Sequence, residues 1–193
     1  MLARNFGVRF RVEQANGISG KNSPASGAIF VYRSPMAKQP VPGDKAPDFS
    51  LPVVGGEYKE ESSISLSDLK GSKVVLYFYP KDDTPGCTTQ ACGIRDTWGE
   101  LSKKAKIFGV SIDPIKKHQK FIDKYDLTFP LISDEEKSMV EAYGVWVEKK
   151  MYGKTYMGTE RTTFVIDENG VIAAVFPKVK PADHVDLLLE TLG

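Results

Sequence analysis

The chain's two cysteines, Cys87 and Cys92, are the residues whose type and spacing could carry out chemistry. Cys87 ends residues 80–87, in which two prolines and a glycine prevent a strand or helix from continuing. The preceding residues 74–79 are the most apolar run of the chain and predict a buried strand. Helix-forming residues follow Cys87. We therefore expect Cys87 at a helix start, where unpaired N–H groups and the helix dipole favour a nucleophilic thiolate.

The spacing of the cysteines limits when they can react with each other. In an ideal α-helix, the Cα atoms of residues five apart are about 8.7 Å from each other, whereas a disulfide needs roughly 7 Å or less. Cys87 and Cys92 can therefore bond only if the helix unwinds locally. Gly86 and Gly93 flank the segment that would move. From its position alone, Cys92 is either a second redox-active thiol or an inert core residue.

Length, charge and cysteine content restrict the class of protein. A chain of 193 residues suits one domain with a proper core. The 26 basic and 25 acidic residues nearly cancel, which indicates neither a nucleic-acid partner nor an acidic membrane surface. Two close cysteines indicate redox work in a reducing compartment rather than a disulfide-stapled secreted domain. No apolar run approaches the roughly 18 residues of a transmembrane helix.

Residues 1–42 are predicted to be an extension outside the domain, which spans residues 43–193. Residues 1–40 contain six basic residues and one acidic residue, and their apolar patch at 28–32 is too short for a secretory signal. We favour a disordered tail or an added leader, with Met36 as the true start. The expected location is then the cytoplasm. The alternative is an organelle, if residues 1–35 are a transit peptide.

Strand and helix patterns alternate along the domain in the order β-α-β-α-β-α-β-β-α. This order predicts an α/β fold, with a central mixed β-sheet flanked by helices on both faces. The strand at 74–79 is expected to be central and to carry the active loop at its carboxyl end. The individual predictions are an edge strand at 46–51, a helical turn at 65–69, a helix at 87–105, a strand at 107–112, a helix from 114, a strand at 129–132, a helix from 133, a loop or irregular hairpin at 144–160, a hairpin of strands 162–166 and 171–176, and a last helix from 181.

Other polar residues are interpreted as surface groups. His118 and His184 are expected to be solvated rather than ligands or bases, and Asp82 and Asp83 to be solvated turn residues. The C-x4-C spacing is poor for zinc, and both histidines are distant in sequence, so no metal site is predicted.

The residues around Cys87 resemble a known family. The pattern Pro80-x-x-x-Thr84-x-x-Cys87 is similar to the peroxiredoxin signature. Cys92, five residues later, resembles the bacterioferritin comigratory protein/peroxiredoxin Q branch. The similarity extends from about residue 43 to the C-terminus and includes residues 79–82 and 158–165.

The resemblance implies a thioredoxin-like fold and the reduction of hydrogen peroxide and organic hydroperoxides without metal or flavin. Cys87 would be the peroxidatic thiolate that becomes a sulfenic acid, and Cys92 would attack it to form an intramolecular disulfide. Thr84 would hydrogen-bond the thiolate or the peroxide, Arg161 would stabilise the negative charges, and Pro80 would shield the sulfur. Thioredoxin or a similar dithiol protein would reduce the disulfide. A monomer would suffice, with a dimer as the alternative, and the role would be antioxidant defence.

Alternatives to these roles remain open. Thr84 could be only a turn residue, and Arg161 only a surface ion-pair partner of Glu160. A thioredoxin-like disulfide oxidoreductase is the main rival enzyme, against which the cysteine spacing and Thr162, near the usual position of a cis-proline, both argue. A peroxide sensor would use the same thiol chemistry as the peroxidase. No sequence feature indicates a holdase chaperone.

Overall fold

A computed structural model of the chain describes residues 38–151 and 153–193. The predictions for residues 1–37 lie outside the described residues, and the domain boundary at residue 43 stays a prediction. No helix in the described ranges is long and apolar enough to cross a membrane.

The strands are β1 (Ser50–Gly55), β2 (Tyr58–Ser65), β3 (Val74–Phe78), β4 (Lys106–Ser111), β5 (Leu131–Ser133), β6 (Trp146–Met151), β7 (Lys154–Thr159), β8 (Thr162–Ile166) and β9 (Ile172–Pro177). The α-helices are α1 (Pro85–Asp96), α2 (Trp98–Lys104), α3 (Ile115–Tyr125), α4 (Ser138–Ala142) and α5 (His184–Leu192), with 3-10 helices at Leu66–Leu69 and Pro181–Asp183.

Seven strands form one mixed sheet in the order β2-β1-β5-β4-β3-β8-β9. β3, β4 and β5 are parallel, whereas β8 runs antiparallel to β3. β6 and β7 form a separate antiparallel hairpin. The predicted α/β fold is confirmed, including the interior position of β3.

The side chains of β3 alternate between the two faces of the sheet, as a strand requires. Val74, Leu76 and Phe78 enter one core, which also contains Met139 and Val140 of α4. Val75 and Tyr77, with Tyr79 directly after the strand, enter the other core, which α1, α2, α3 and α5 cover. Because Cys87 belongs to this second core, the chemistry lies on the face with the four longer helices.

The predicted single helix over residues 87–105 is wrong, because it divides at Thr97. This residue has φ −107° and ψ 7°, and its N–H bonds to the carbonyls of Gly93 and Ile94, which ends α1. The Thr97 carbonyl then accepts from Glu100 and begins α2. Threonine is a weak helix former, and such a residue ends a helix at low cost.

The strand predicted at residues 46–51 is also misplaced. β1 begins at Ser50 and lies second from the edge, because β2 pairs with its outer side. β2 itself was not predicted. The helix start predicted near residue 133 is too early by more than one turn, since α4 begins at Ser138. The carboxylate of Asp134 accepts from the N–H groups of Met139 and Val140 at this start.

Candidate active site

Cys87 is the third residue of α1 and is 3% exposed. Thr84 is the N-cap of the helix, with φ −100° and ψ 150°, and Pro85 occupies the first helical position. The first intrahelical bond runs from the N–H of Thr88 to the carbonyl of Thr84, at 2.8 Å. The N–H groups of Gly86 and Cys87 precede that bond, so they lie at the positive end of the helix beside the sulfur.

The sheet register brings Arg161 to this sulfur from a distant part of the sequence. Phe78, the last residue of β3, pairs with Thr162, the first residue of β8. Arg161 therefore lies at the carboxyl end of β3, where the cysteine loop begins. Its Nη2 donates to Cys87 Sγ at 3.2 Å. The alternative interpretation of Arg161 as a surface partner of Glu160 fails, because Glu160 pairs instead with Lys178 at 4.0 Å.

Gly86 makes room for this approach. A Cβ atom at Gly86 would lie 3.5 Å from Arg161 Nη2 and 3.3 Å from Cγ of Pro181. A larger side chain at this position would therefore crowd the guanidinium in its place beside the sulfur.

A second group of buried polar residues supports Arg161. The Nη1 of Arg161 donates to Oε1 of Gln90, on the buried face of α1. The Nε2 of Gln90 lies 2.8 Å from Nδ1 of His184, whose Nε2 is 2.9 Å from the hydroxyl of Thr163. Gln90 and His184 are both fully buried. The prediction that His184 is a solvated surface residue is wrong.

The charge of Cys87 also affects the pKa values of two other side chains, Lys149 and Tyr77. Burial lowers the pKa of Lys149 on β6. The positive charge of Arg161 lowers this pKa further, whereas the negative charges of Glu160 and Cys87 raise it. Burial, with the negative charges of Asp82 and Cys87, raises the pKa of Tyr77 well above its usual range. Tyr77 is thus a neutral phenol in the same core as Cys87, while Arg161 is the cation that contacts the sulfur.

Two adjacent aspartates fix the loop before Cys87 to α3. Asp82 is buried, and its carboxylate lies 2.7 Å from Nδ1 of His118 and accepts the hydroxyl of Tyr79 at 2.7 Å. Nε2 of the fully buried His118 lies 3.2 Å from a backbone carbonyl of β5. The predictions of solvated Asp82 and solvated His118 are therefore wrong. Asp83 is exposed as expected, and it binds Lys124 and Tyr125.

Thr84 and Pro80 lie at the two ends of this loop. The Thr84 hydroxyl donates to the carbonyl of Lys81 at 2.9 Å. Its proton is therefore committed, and its lone pairs remain to accept a hydrogen bond. Pro80 is half-buried immediately after β3. Its shielding of the sulfur stays a prediction.

Cys92 is half-buried in the same helix as Cys87, and both thiols are free. Since α1 is continuous from Pro85 to Asp96, the ideal-helix separation of about 8.7 Å applies to their Cα atoms. The two sulfurs are therefore kept apart while α1 is folded.

Gln90 and His184 are the residues of the site that the sequence interpretation missed. The helical spacing of the buried residues could have indicated that these two side chains are buried. Cys87, Gln90, Ala91 and Ile94 follow the i, i+3, i+4, i+7 spacing of one buried helix face. His184 stands four residues before the buried Leu188 on α5. A polar residue within a buried apolar helix face needs a hydrogen-bond partner. Gln90 and His184 provide that partner for each other.

The burial of His184 makes the stability of the protein depend on pH. Burial first, and then the positive charge of Arg161, lowers the pKa of His184 from 6.5 to about 3. Between these values the unfolded chain binds a proton that the folded chain does not, so acid favours unfolding. Between pH 7 and pH 5, protonation of this histidine in the unfolded chain should lower the free energy of unfolding by about 2 kcal/mol.

Urea unfolding of the wild type and of His184→Asn at the two pH values measures this cost. The wild type should lose about 2 kcal/mol more than the variant, because asparagine does not titrate. Equal losses would show that His184 does not carry this proton linkage.

The comparisons with known proteins agree with this geometry. Residues 42–175 match the model of the AhpC/TSA family. The chain belongs to this family. It is 57% identical over 144 residues to a putative peroxiredoxin Bcp of Coxiella burnetii, covering 74% of this chain and 92% of that protein. It is 49% identical to the peroxiredoxin Bcp of Bacillus subtilis, covering 78% and 93% of the two chains.

Solved structures show the same relationship. The bacterioferritin comigratory protein of Xanthomonas campestris, studied for alkyl peroxide reduction, superposes with a TM-score of 0.71 at 38% identity, covering 81% of this chain and 95% of that one. A cysteine mutant of Xylella fastidiosa peroxiredoxin Q gives 0.73 at 32% identity, covering 81% and 96%. The chain is thus a thioredoxin-fold peroxiredoxin of the bacterioferritin comigratory protein/peroxiredoxin Q branch. Its activity is that of a thiol peroxidase, with a hydroperoxide as substrate and a thiol as reductant.

Proposed function

We propose that this chain reduces hydrogen peroxide and organic hydroperoxides through a sulfenic acid on Cys87 and a Cys87–Cys92 disulfide, which thioredoxin or a similar dithiol protein reduces. The observation that carries the proposal is the contact between Arg161 Nη2 and Cys87 Sγ at the start of α1. A buried sulfur beside a guanidinium and a helix N-terminus is favoured as a thiolate.

In the first step, the Cys87 thiolate attacks the terminal oxygen of the hydroperoxide. The S–O bond forms as the O–O bond breaks, so sulfur loses two electrons and the leaving oxygen gains them. That oxygen departs with a negative charge and takes up a proton to become water or an alcohol. Arg161 stabilises the developing charge, and the free lone pairs of Thr84 accept a hydrogen bond from the peroxide hydroxyl.

In the second step, Cys92 attacks the sulfenic sulfur and releases water, which forms the disulfide. The helix geometry requires α1 to unwind between the two cysteines before this bond can form. The loop before it can stay in place, because Asp82 and Asp83 hold it to α3. A dithiol reductant then returns both thiols, and α1 refolds.

The enzyme is expected to work as a monomer in a reducing compartment. Both cysteines lie in one chain, so a monomer can complete the cycle. Two close cysteines and no further ones favour redox work in a reducing compartment, so the location we propose is the cytoplasm. The role we propose there is antioxidant defence, and residues 1–42 lie outside the catalytic domain.

The resolving role of Cys92 is tested by Cys92→Ser. The variant should consume one equivalent of hydrogen peroxide and then turn over with thioredoxin at less than roughly a tenth of the wild-type rate, because its sulfenic acid has no partner thiol. Dithiothreitol provides the matched control, since this small dithiol can reach the sulfenic acid directly and should keep the variant turning over. Undiminished turnover with thioredoxin would contradict the resolving role.

A further inference from the structure

We propose that Gln90 and His184 are positioning residues that hold Arg161 against Cys87, and that Gln90 links this hold to the folded state of α1. The proposal rests on the role of Cys87 given above. The hydrogen bond to the sulfur comes from Arg161, and the hydrogen bonds of Gln90 and His184 go to other groups. Both would act through Arg161, and they would connect the step that oxidises Cys87 to the step that unwinds the helix.

The direction of every hydrogen bond in this group follows from Arg161. A guanidinium has only donors, so the Gln90 atom that faces it must be the carbonyl oxygen. The NH₂ group of Gln90 therefore faces His184 and donates to Nδ1. With Nδ1 accepting, the proton of the neutral imidazole is on Nε2, from which it is donated to the Thr163 hydroxyl.

The surroundings of His184 keep it in this form. Its pKa is lowered to about 3 by burial and by the charge of Arg161. The ring lies against Tyr77, with centroids 5.4 Å apart, and Tyr77 is a neutral phenol. His184 therefore stays an acceptor at Nδ1 throughout the neutral pH range, and it fixes the amide orientation of Gln90 through a rigid ring.

Gln90 is the part of the group that must move during the catalytic cycle. It lies on α1 between Cys87 and Cys92, inside the segment that unwinds for disulfide formation. Unwinding separates it from Arg161 and His184. Arg161 directly precedes β8 and His184 begins α5, so both lie outside that segment. The same two hydrogen bonds thus favour the oxidation of Cys87 and oppose the formation of the disulfide.

The variant Gln90→Met tests this link, because methionine has a similar length and cannot replace either hydrogen bond. Oxidation of Cys87 by hydrogen peroxide should slow by roughly tenfold. The absorbance titration of the Cys87 thiolate should shift to higher pH, and the disulfide should form faster than in the wild type. These opposite changes would not follow from a general loss of activity.

Thr89→Gly is the matched control. Thr89 is exposed on the same helix, and its hydroxyl donates to the carbonyl of Pro85. Glycine at this position weakens the helix. This control should accelerate disulfide formation while leaving the oxidation rate and the thiolate titration unchanged. If Gln90→Met behaves like Thr89→Gly, Gln90 supports only the helix, and the proposal is overturned.

Variants of His184 test its role independently of Gln90. His184→Asn keeps an acceptor near the position of Nδ1 and should retain most of the oxidation rate, whereas His184→Leu should fall to about the Gln90→Met rate. Equal rates in both variants and the wild type would overturn the role of His184. If the wild-type thiol itself fails to react with peroxide, the failure belongs to the proposed function rather than to these positioning residues.

Discussion

Cys87→Ser is expected to consume no hydrogen peroxide, because a serine hydroxyl remains protonated where a cysteine forms a thiolate. Stopped-flow fluorescence can follow the reaction in the wild type. Trp98 begins α2, separated from the end of α1 only by Thr97, and its ring centroid lies 5.8 Å from that of Phe129. Unwinding of α1 should therefore change the environment of Trp98 and give a fast oxidation phase followed by a slower phase.

In Cys87→Ser both phases should be absent. The variant should keep the wild-type far-ultraviolet circular dichroism and urea midpoint to within a small change, since the two side chains have nearly the same size. A fast peroxide-dependent phase in a folded Cys87→Ser protein would place the reaction at another residue.

Arg161→Met is expected to slow the oxidation of Cys87 by roughly 10²–10³-fold, a size typical for the loss of one preorganised donor to a developing charge. Arg161 is the cation in contact with Sγ, at 3.2 Å, and it also holds Gln90. Methionine preserves much of the side-chain volume and removes both contacts. The second-order rate constant with hydrogen peroxide, measured in single-turnover mixing, gives the effect.

Arg161→Lys separates charge from geometry. Lysine restores a positive charge but cannot donate from two nitrogens in a fixed plane, so it cannot contact Cys87 and Gln90 together. Its rate should lie between those of the wild type and Arg161→Met. If Arg161→Met reacts at nearly the wild-type rate, the guanidinium does not contribute to the chemistry.

The separate positions of Cys87 and Arg161 could be predicted from strong local patterns, whereas their pairing was expected only from the resemblance to the peroxiredoxin family. The apolar run ending at Tyr79 could only be a buried strand, and the prolines and glycine after it fixed the loop. Cys87 then had to lie near the start of the next helix. Arg161, directly before an apolar strand, had to lie near a sheet end.

The buried polar residues could not be predicted in the same way. His118, His184 and Gln90 occupy buried positions only because each finds a partner far away in sequence, such as Asp82 for His118 and Thr163 for His184. A single sequence does not contain those pairings. Burying a polar side chain costs free energy unless the side chain is hydrogen-bonded, so its burial can be predicted only when its partner is known.

The missed strand has a different cause. β2 lies at the edge of the sheet, with only β1 beside it, and only part of its length contributes to the core. An edge strand can therefore be rich in polar residues, so the sequence from Tyr58 to Ser65 shows little of the apolar pattern typical of an interior strand.

The most direct test of the central claim is to locate the oxidised sulfur. Cys92→Ser is mixed with one equivalent of hydrogen peroxide, the sulfenic acid is trapped with dimedone, and the modified peptide is identified by mass spectrometry. We expect one adduct per chain on Cys87, and none in Cys87→Ser treated in the same way. No adduct on Cys87, or an equally fast adduct on Cys92 in Cys87→Ser, would contradict it.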